Sequence, residues 1–170
     1  MTDTPIIISG CSASGKTTIA NQLKHFGFNP AIGSTTRKPR AGEIDGVDYD
    51  FVDASAWNPD SYIETNFYDG NNYGYSTNNL RLTRPIFIVN VDALLSYPLH
   101  NAFRVVIDVD LRVALKRRPQ RRQQIVSEFK FVRNNLILDP ELLFVQNNNN
   151  ENPKKIASQI AQAYFKKYGK

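Results

Sequence analysis

The chain has 170 residues, 41% of them hydrophobic, so it is long enough for one substantial core and too short for two large independent domains. The single cysteine excludes an intramolecular disulfide, and two histidines without further cysteines give no metal-ligand spacing. No apolar run is long enough to cross a membrane, so we expect a cytoplasmic protein that binds no membrane. The net charge is +5, yet residues 112–133 alone hold eight basic side chains and one acidic one, which points to a polyphosphate or a nucleic acid.

The N-terminal segment reads as a strand, a glycine loop and a helix. Residues 5–9 (PIIIS) form a β-branched run typical of a buried strand, and residues 17–26 carry apolar side chains at helical spacing. Between them, residues 10–17 fit the pattern G-x-x-x-x-G-K-[ST]. A strand before this motif and a helix after it are the context that a phosphate-binding loop requires. The sequence therefore predicts nucleotide binding.

Each residue type of this motif has a function in phosphate binding. The glycines let backbone N–H groups surround phosphate oxygens, the lysine reaches the β and γ phosphates, and the hydroxyl after it binds a metal ion. We therefore expect ATP as phosphate donor and Mg²⁺ as cofactor, with Lys16 catalytic and Thr17 the metal-binding residue. Cys11 receives no role. The residues expected to contact ATP are Gly10, Ser12, Ala13, Ser14, Gly15, Lys16, Thr17 and Thr18.

Residues 30–84 differ in composition and hydrophobic pattern from the rest of the chain. They are rich in Gly, Asn, Asp and Tyr, and they contain alternating segments such as YIETNFY with turn signals at residues 69–70 and 71–72. We interpret this region as an inserted, mostly β lobe. Within it, Arg37 and Arg40 flank a proline and precede Tyr49, a donor set suited to a phosphate dianion. The arginines by themselves would also fit a solvated basic turn.

Residues 34–51, STTRKPRAGEIDGVDYDF, closely resemble the signature S-T-T-R-x-P-R-x-G-E-x-x-G-x-D-Y-x-F of guanylate kinases. The resemblance is strong over residues 5–92 and weaker beyond them. It implies a P-loop nucleoside monophosphate kinase of the α/β class, with three layers around a parallel sheet. The implied parts are a core (1–33, 85–116 and 134–170), a mixed, β-rich acceptor-binding lobe (34–84) and a short arginine-rich lid (117–133).

The resemblance also implies roles for individual residues of the lobe. Four side chains would hold the acceptor phosphate, namely Arg37, Arg40, Tyr49 and Tyr73, and Ser34 also belongs to the substrate site. Glu64 and Asp92 would face the base. The carboxylate chemistry stands independently, because guanine offers N1–H and a 2-amino group side by side to a glutamate, whereas adenine lacks both.

Three positions depart from the family pattern. Gly33 stands where a serine usually faces the guanine carbonyl, Tyr75 stands where a serine follows Tyr-Gly, and Asn90 replaces a strand aspartate. The hydroxyl of Tyr75 could donate to O6 of guanine and so compensate for Gly33. Equally, the two changes could reshape the pocket for another base.

The strand and helix pattern returns after the lobe. Residues 85–91, 103–109 and 142–145 predict three further buried strands, and residues 151–168 predict a closing amphipathic helix. Strands that alternate with helices favour a parallel sheet covered on both faces. The basic segment lies between the last two of these strands.

The basic segment is where the family has its lid. Pro119 interrupts its helical pattern, so we expect a mobile connection around residues 119–123. Phosphoryl transfer needs in-line alignment and cations on the equatorial oxygens, and it needs no general base because the acceptor phosphate is largely ionised near neutral pH. We expect Lys16, Arg37, Arg118 and Arg133 to act in catalysis. A solvated helix face and a nucleic-acid groove are the alternatives for this segment, and Arg117, Arg121 and Arg122 receive no assignment.

The predicted function is ATP-dependent phosphorylation of a nucleoside monophosphate, GMP or dGMP, by in-line transfer. One alternative keeps the fold and changes the acceptor to another nucleoside monophosphate or a sugar phosphate. Another is a catalytically silent binding module of guanylate-kinase type, which the intact motif with Lys16 and Thr17 disfavours. Small-molecule nucleotides are thus the expected partners, nucleic acid is not, and the chain is expected as a monomer or homodimer.

Overall fold

The computed structural model describes residues 4–148 and 151–169. Its strands, β1 to β9 in chain order, are Ile6–Ser9, Asn29–Pro30, Ser34–Thr35, Asp50–Phe51, Tyr62–Tyr68, Asn71–Ser76, Pro85–Ile88, Phe103–Asp108 and Leu143–Gln146. Its α-helices, α1 to α4, are Lys16–Leu23, Leu111–Arg117, Arg122–Phe131 and Pro153–Tyr168. None of the described helices is long and apolar enough to cross a membrane.

The larger sheet has five strands in the order β2-β7-β1-β8-β9, and all of its pairings are parallel. Ile6 and Ile8 of β1 pack with α1 and α4 on one face, while Ile7 faces a second cluster that includes Val132 and Leu136 on the other. All three isoleucines are fully buried, as the β-branched run predicts for a central parallel strand. The expected α/β architecture with a parallel sheet is confirmed.

A second sheet lies within residues 34–76 and has the order β4-β3-β6-β5. Its β3 and β4 are parallel, whereas β3 with β6 and β5 with β6 are antiparallel, so the sheet is mixed. The hairpin between β5 and β6 turns at Asp69 and Gly70, which have φ angles of 50° and 74°. A two-residue turn with both φ angles positive reverses the chain completely. The second predicted turn, at Asn71-Asn72, was therefore wrong, since those residues begin β6.

The helix boundaries follow local sequence signals. The first helix is shorter than its pattern, because α1 ends at Leu23 and a 3₁₀ turn leads to Gly27 at φ 82°. Pro119 starts a 3₁₀ turn between α2 and α3, which confirms the predicted interruption. The last helix begins at Pro153 after Asn152, whose side chain accepts a hydrogen bond from the N–H of Lys154 at 2.9 Å.

We expect truncation of Phe28 to destabilise the fold strongly. Phe28 is fully buried between the sheet and α4, and its ring meets those of Tyr164 and Phe165 at centroid distances of 4.9 and 5.6 Å. Phe28→Ala should lower the free energy of unfolding by about 3–5 kcal/mol, measured by urea titration. Phe67→Ala is the matched control, because Phe67 is 69% exposed and its loss should change stability by about 0.5 kcal/mol or less. Equal losses in both variants would contradict this assignment of the core.

Candidate functional site

The loop between β1 and α1 has the backbone that its glycines predict. Gly10 and Gly15 have φ angles of 144° and 93°, and Ala13 also lies in the left-handed region at 67°. A Cβ atom on Gly10 would lie 2.3 Å from the carbonyl oxygen of Ile107, so no larger residue fits against β8 at this point. Only glycine therefore lets the loop start this close to the sheet.

The carbonyl groups of this loop are bonded by side chains from three elements. Lys16 Nζ donates to the carbonyls of Gly10 at 2.7 Å and Cys11 at 3.1 Å. Asn147, which follows β9, donates from Nδ2 to the carbonyl of Ser14 at 2.6 Å. Arg117 of α2 donates to the carbonyls of both Ala13 and Asn147 at 3.1 Å. These bonds fix the shape of the loop.

An anion already occupies part of the loop. Glu128 of α3 accepts a hydrogen bond through Oε2 from the backbone N–H of Ser12 at 2.5 Å, and its Oε1 accepts one from Gln124 Nε2 at 2.8 Å. Burial lowers the pKa of Lys16, and the nearby Glu128 carboxylate opposes that effect. The loop thus binds an oxyanion through its backbone, as a phosphate-binding loop does. Sequence reasoning missed Glu128, although it is the one acidic residue of the basic segment.

The remaining loop residues fit a polyphosphate with its metal ion. The Ser14 hydroxyl is buried and has no hydrogen-bond partner among the described residues, while Thr17 and Thr18 are exposed on the first turn of α1. The described residues contain no cluster of three or more His, Cys, Asp or Glu side chains that could hold a metal ion. Mg²⁺ is commonly held by few protein ligands together with substrate phosphates, which is compatible with Thr17 as its protein ligand.

Cys11 is buried in the loop and keeps its proton. Burial raises the pKa of its thiol to about 11, and this effect outweighs the nearby Lys16, which acts in the opposite direction. A thiol that stays protonated is a poor nucleophile. The structure therefore gives Cys11 a packing position, consistent with the absence of a role in the sequence-based prediction.

A cleft of about 700 Å³ opens beside the loop, between the mixed sheet, the segment after β7 and the helix α3. All seven residues predicted to bind the substrate line this one cleft. They are Ser34, Arg37, Arg40, Tyr49, Glu64, Tyr73 and Asp92. Arg121 and Glu128 line the facing wall, and Glu128 also touches the phosphate loop. Glu128 thus connects the wall of the cleft to the loop.

Arg37 is held in a fixed orientation. Its guanidinium donates to both oxygens of Glu43, at 2.6 and 2.7 Å, and lies over the rings of Tyr49 and Phe51. Arg37 and then the N–H of Arg40 hold the pKa of Glu43 at about 2, so that carboxylate stays charged throughout the physiological range. The arrangement presents a rigid cation to the cleft.

The second group of cleft residues is acidic. Burial and then the neighbouring Asp92 raise the pKa of Glu64 above its ordinary value. Glu64 is half-buried and Asp92 is exposed, and two neighbouring carboxylates attract hydrogen-bond donors rather than anions. This part of the cleft therefore suits the donor edge of a base and not a phosphate.

Tyr75 does not have the function suggested as compensation for Gly33. Its hydroxyl donates to the carbonyl of Ile88 at 3.0 Å and accepts from the N–H of Ile88 at 3.1 Å. A hydroxyl has a single hydrogen to donate, so Tyr75 cannot also donate to O6 of a base. The hydroxyl instead ties β6 to the end of β7, beyond the point where β2 stops pairing with that strand. The compensation by Tyr75 was therefore wrong.

The arginines of the basic segment have different surroundings. Arg133 forms an ion pair with buried Asp108 at 2.8 Å, and Asp108 also accepts from Gln146 Nε2 at 2.6 Å. Arg118 is exposed at the end of α2, whereas Arg121 lines the cleft and acts electrostatically on Lys16. Asp108, Arg117 and Arg121 had received no assignment from the sequence. Asp108 could have been found from its place at the end of a strand, and Arg117 and Arg121 from their place in the basic segment.

Comparison with known proteins agrees with this geometry. The family model described as guanylate kinase matches residues 2–164. The chain belongs to the guanylate kinase family. It is 38% identical to the guanylate kinase of Lactobacillus johnsonii over 76 residues, 32% identical to that of Schizosaccharomyces pombe over 110, and 32% identical to that of Clostridium perfringens over 117. These alignments cover 41, 59 and 65% of this chain.

The same alignments span 37, 52 and 47% of the relatives' own length, so the matched region is about half or less of each curated guanylate kinase. The crystal structure of guanylate kinase from Anaplasma phagocytophilum superimposes with a TM-score of 0.70 at 18% identity. That superposition covers 99% of this chain and 88% of the other. The fold of the family therefore extends over the chain, well beyond the region of strong sequence identity.

The Tyr75 bridge should stabilise this family member. In Tyr75→Phe, the N–H and C=O of Ile88 lose their partner in the interior, so we expect the free energy of unfolding to fall by about 1–3 kcal/mol. Urea titration measures the change. Tyr168→Phe, which removes a hydroxyl from a 40% exposed ring on α4, should leave stability within about 0.5 kcal/mol. An equally stable Tyr75→Phe protein would show that the bridge contributes nothing.

We expect Glu128→Gln to bind ATP more tightly. The Glu128 carboxylate occupies a backbone donor of the loop and would repel the polyphosphate, while glutamine keeps the shape without the charge. The Kd for ATP should fall about tenfold, measured by equilibrium titration without an acceptor. Glu141→Gln is the matched control, because it removes the same charge from a 79% exposed site near Lys167. Unchanged or weaker ATP binding in Glu128→Gln would rule out this competition.

Proposed function

We propose that this chain transfers the γ-phosphate of ATP to GMP or dGMP. The supporting observation is that the seven predicted acceptor residues line one cleft whose facing wall, at Glu128, reaches the phosphate loop. A donor site and an acceptor site that adjoin in this way bring two phosphates together, which is the main requirement of phosphoryl transfer. The family of the chain points to the same reaction.

In this proposal the loop binds the ATP phosphates and Lys16 exchanges its bonds to the loop carbonyls for phosphate oxygens. Mg²⁺, held by Thr17 and the phosphates, would neutralise their charge when bound. Arg37, oriented by Glu43, binds the acceptor phosphate with Arg40, Tyr49 and Tyr73. Arg121 faces the same cleft, and Arg118 and Arg133 remain candidates for the lid. Cations on both phosphates reduce the repulsion that separates them.

The acceptor base is proposed to be guanine. The acidic wall formed by Glu64 and Asp92 accepts hydrogen bonds, and guanine presents N1–H and the 2-amino group on one edge. Arg37 and Glu64 both line the cleft, and we propose that one nucleotide places its phosphate at the first and its base at the second. A cytoplasmic location, where both ATP and GMP are available, is part of the same proposal.

The direct test is diphosphate formation with ATP, Mg²⁺ and a panel of ribo- and deoxyribonucleoside monophosphates and a sugar phosphate. GMP or dGMP should be the preferred acceptor, and Lys16→Ala should lose at least about 100-fold of the rate because a cation on the transferred phosphate is removed. Lys24→Ala, at an exposed position just after α1, should retain the wild-type rate. Preference for another acceptor would replace guanine as the substrate, and binding without turnover would favour the silent module.

A further inference from the structure

Asn66 is a polar residue of the acceptor cleft to which the proposed function gives no role. It lies on β5, lines the cleft and is exposed to solvent. Its side-chain amide forms no hydrogen bond with any described residue. An amide offers two N–H donors and an oxygen acceptor, so this accessible group can both donate to a ligand and accept from it. A free amide on the wall of a cleft is a candidate for substrate recognition.

The register of the mixed sheet sets the position of Asn66. It is paired directly with Tyr73 of β6, and residues paired in this way project from the same face with Cβ atoms about 4.5–5.5 Å apart. Tyr73 is paired on its other side with Thr35 of β3, which is fully buried and whose hydroxyl donates to the carbonyl of Asn72 at 2.9 Å. Thr35, Tyr73 and Asn66 thus form one row across the sheet, and Tyr73 and Asn66 are its members that line the cleft.

This row lies between the two ends of the proposed nucleotide site. β3 and β5 are both antiparallel to β6, so they run in the same direction. Glu64 precedes the row by two residues on β5, and residues two apart on a strand lie about 7 Å from each other. Arg37 follows the row by two residues after β3, where the preceding Thr36 still bonds Asn72 of β6 at 3.1 and 2.9 Å. Along the strand direction, Glu64 is therefore on one side of Asn66 and Arg37 on the other.

A nucleotide carries its ribose between its base and its phosphate. With the base at Glu64 and the phosphate at Arg37, the ribose of the acceptor comes to lie over the row that contains Asn66. The 2′- and 3′-hydroxyls of a ribose each donate and accept hydrogen bonds, as the amide does. We propose that the Asn66 amide bonds the ribose hydroxyls and is a specificity-determining group that makes GMP a better acceptor than dGMP. This assignment rests on the proposed function, which leaves the choice of sugar open.

The experiment measures equilibrium binding of three acceptors, without ATP, to wild type and Asn66→Ala. GMP carries both ribose hydroxyls, dGMP lacks the 2′-hydroxyl, and 2′,3′-dideoxyguanosine monophosphate lacks both. Asn66→Ala should weaken GMP binding by about fivefold to tenfold, weaken dGMP binding less, and leave the dideoxy nucleotide unchanged, because that nucleotide has no ribose hydroxyl to bond. Asn78→Ala is the matched control, since Asn78 is exposed in the same lobe and is not among the residues that line the cleft. It should change none of the three.

Two results would overturn the assignment. Unchanged GMP affinity in Asn66→Ala would show that the amide makes no contact with the acceptor. An equal loss for all three nucleotides would indicate a change of cleft shape and not a lost bond to the ribose. Wild-type turnover of GMP, measured in parallel, separates the two proposals: if wild type phosphorylates GMP and Asn66→Ala binds it normally, only the role of Asn66 fails. A wild type that does not bind GMP at all would overturn both.

Discussion

The phosphate loop depends on hydrogen bonds that side chains donate to its carbonyl groups. The donors come from α1, from α2 and from the residue after β9, through Lys16, Arg117 and Asn147. These elements meet because the parallel order places the carboxyl ends of β1, β8 and β9 side by side. The sheet topology thus sets the shape of the loop, and the loop in turn determines where a phosphate binds and where an acceptor must approach it.

Three carboxylates bond groups that are proposed to bind anions. Glu128 bonds the loop, Glu43 bonds Arg37 and Asp108 bonds Arg133. Binding of a phosphate would affect the hydrogen bonds of Glu128 and Glu43 differently. A backbone N–H has one hydrogen, so a phosphate that takes the Ser12 donor must displace Glu128. A guanidinium has five hydrogens, so Arg37 can keep Glu43 as its orienting partner while it bonds a phosphate. Under the proposed function, Glu128 competes with the ATP phosphates, whereas Glu43 orients Arg37 for the acceptor phosphate.

Local patterns explain what the sequence could predict. The loop motif, the β-branched strands and the interruption at Pro119 are each contained in a few consecutive residues, and each was found in the structure. The acceptor residues came from a family signature, and the cleft brings them together. The short strands β2, β3 and β4 were not predicted, because two residues carry no periodicity. The roles of Glu128 and Tyr75 were not predicted, because their partners, Ser12 and Ile88, lie 116 and 13 residues away.

The two departures at residues 33 and 75 are physically one change. A Cβ atom on Gly33 would lie 3.5 Å from the rings of both Tyr49 and Tyr75, so a methyl group fits and a longer side chain would meet the rings. The ring of Tyr75 occupies the space beside Gly33, and its hydroxyl hydrogen-bonds Ile88. This bond connects the two sheets. At this wall of the cleft, Tyr75 therefore connects the two sheets and makes no polar contact to the base. Recognition of the base must then come from other residues that line the cleft, such as Glu64 and Asp92.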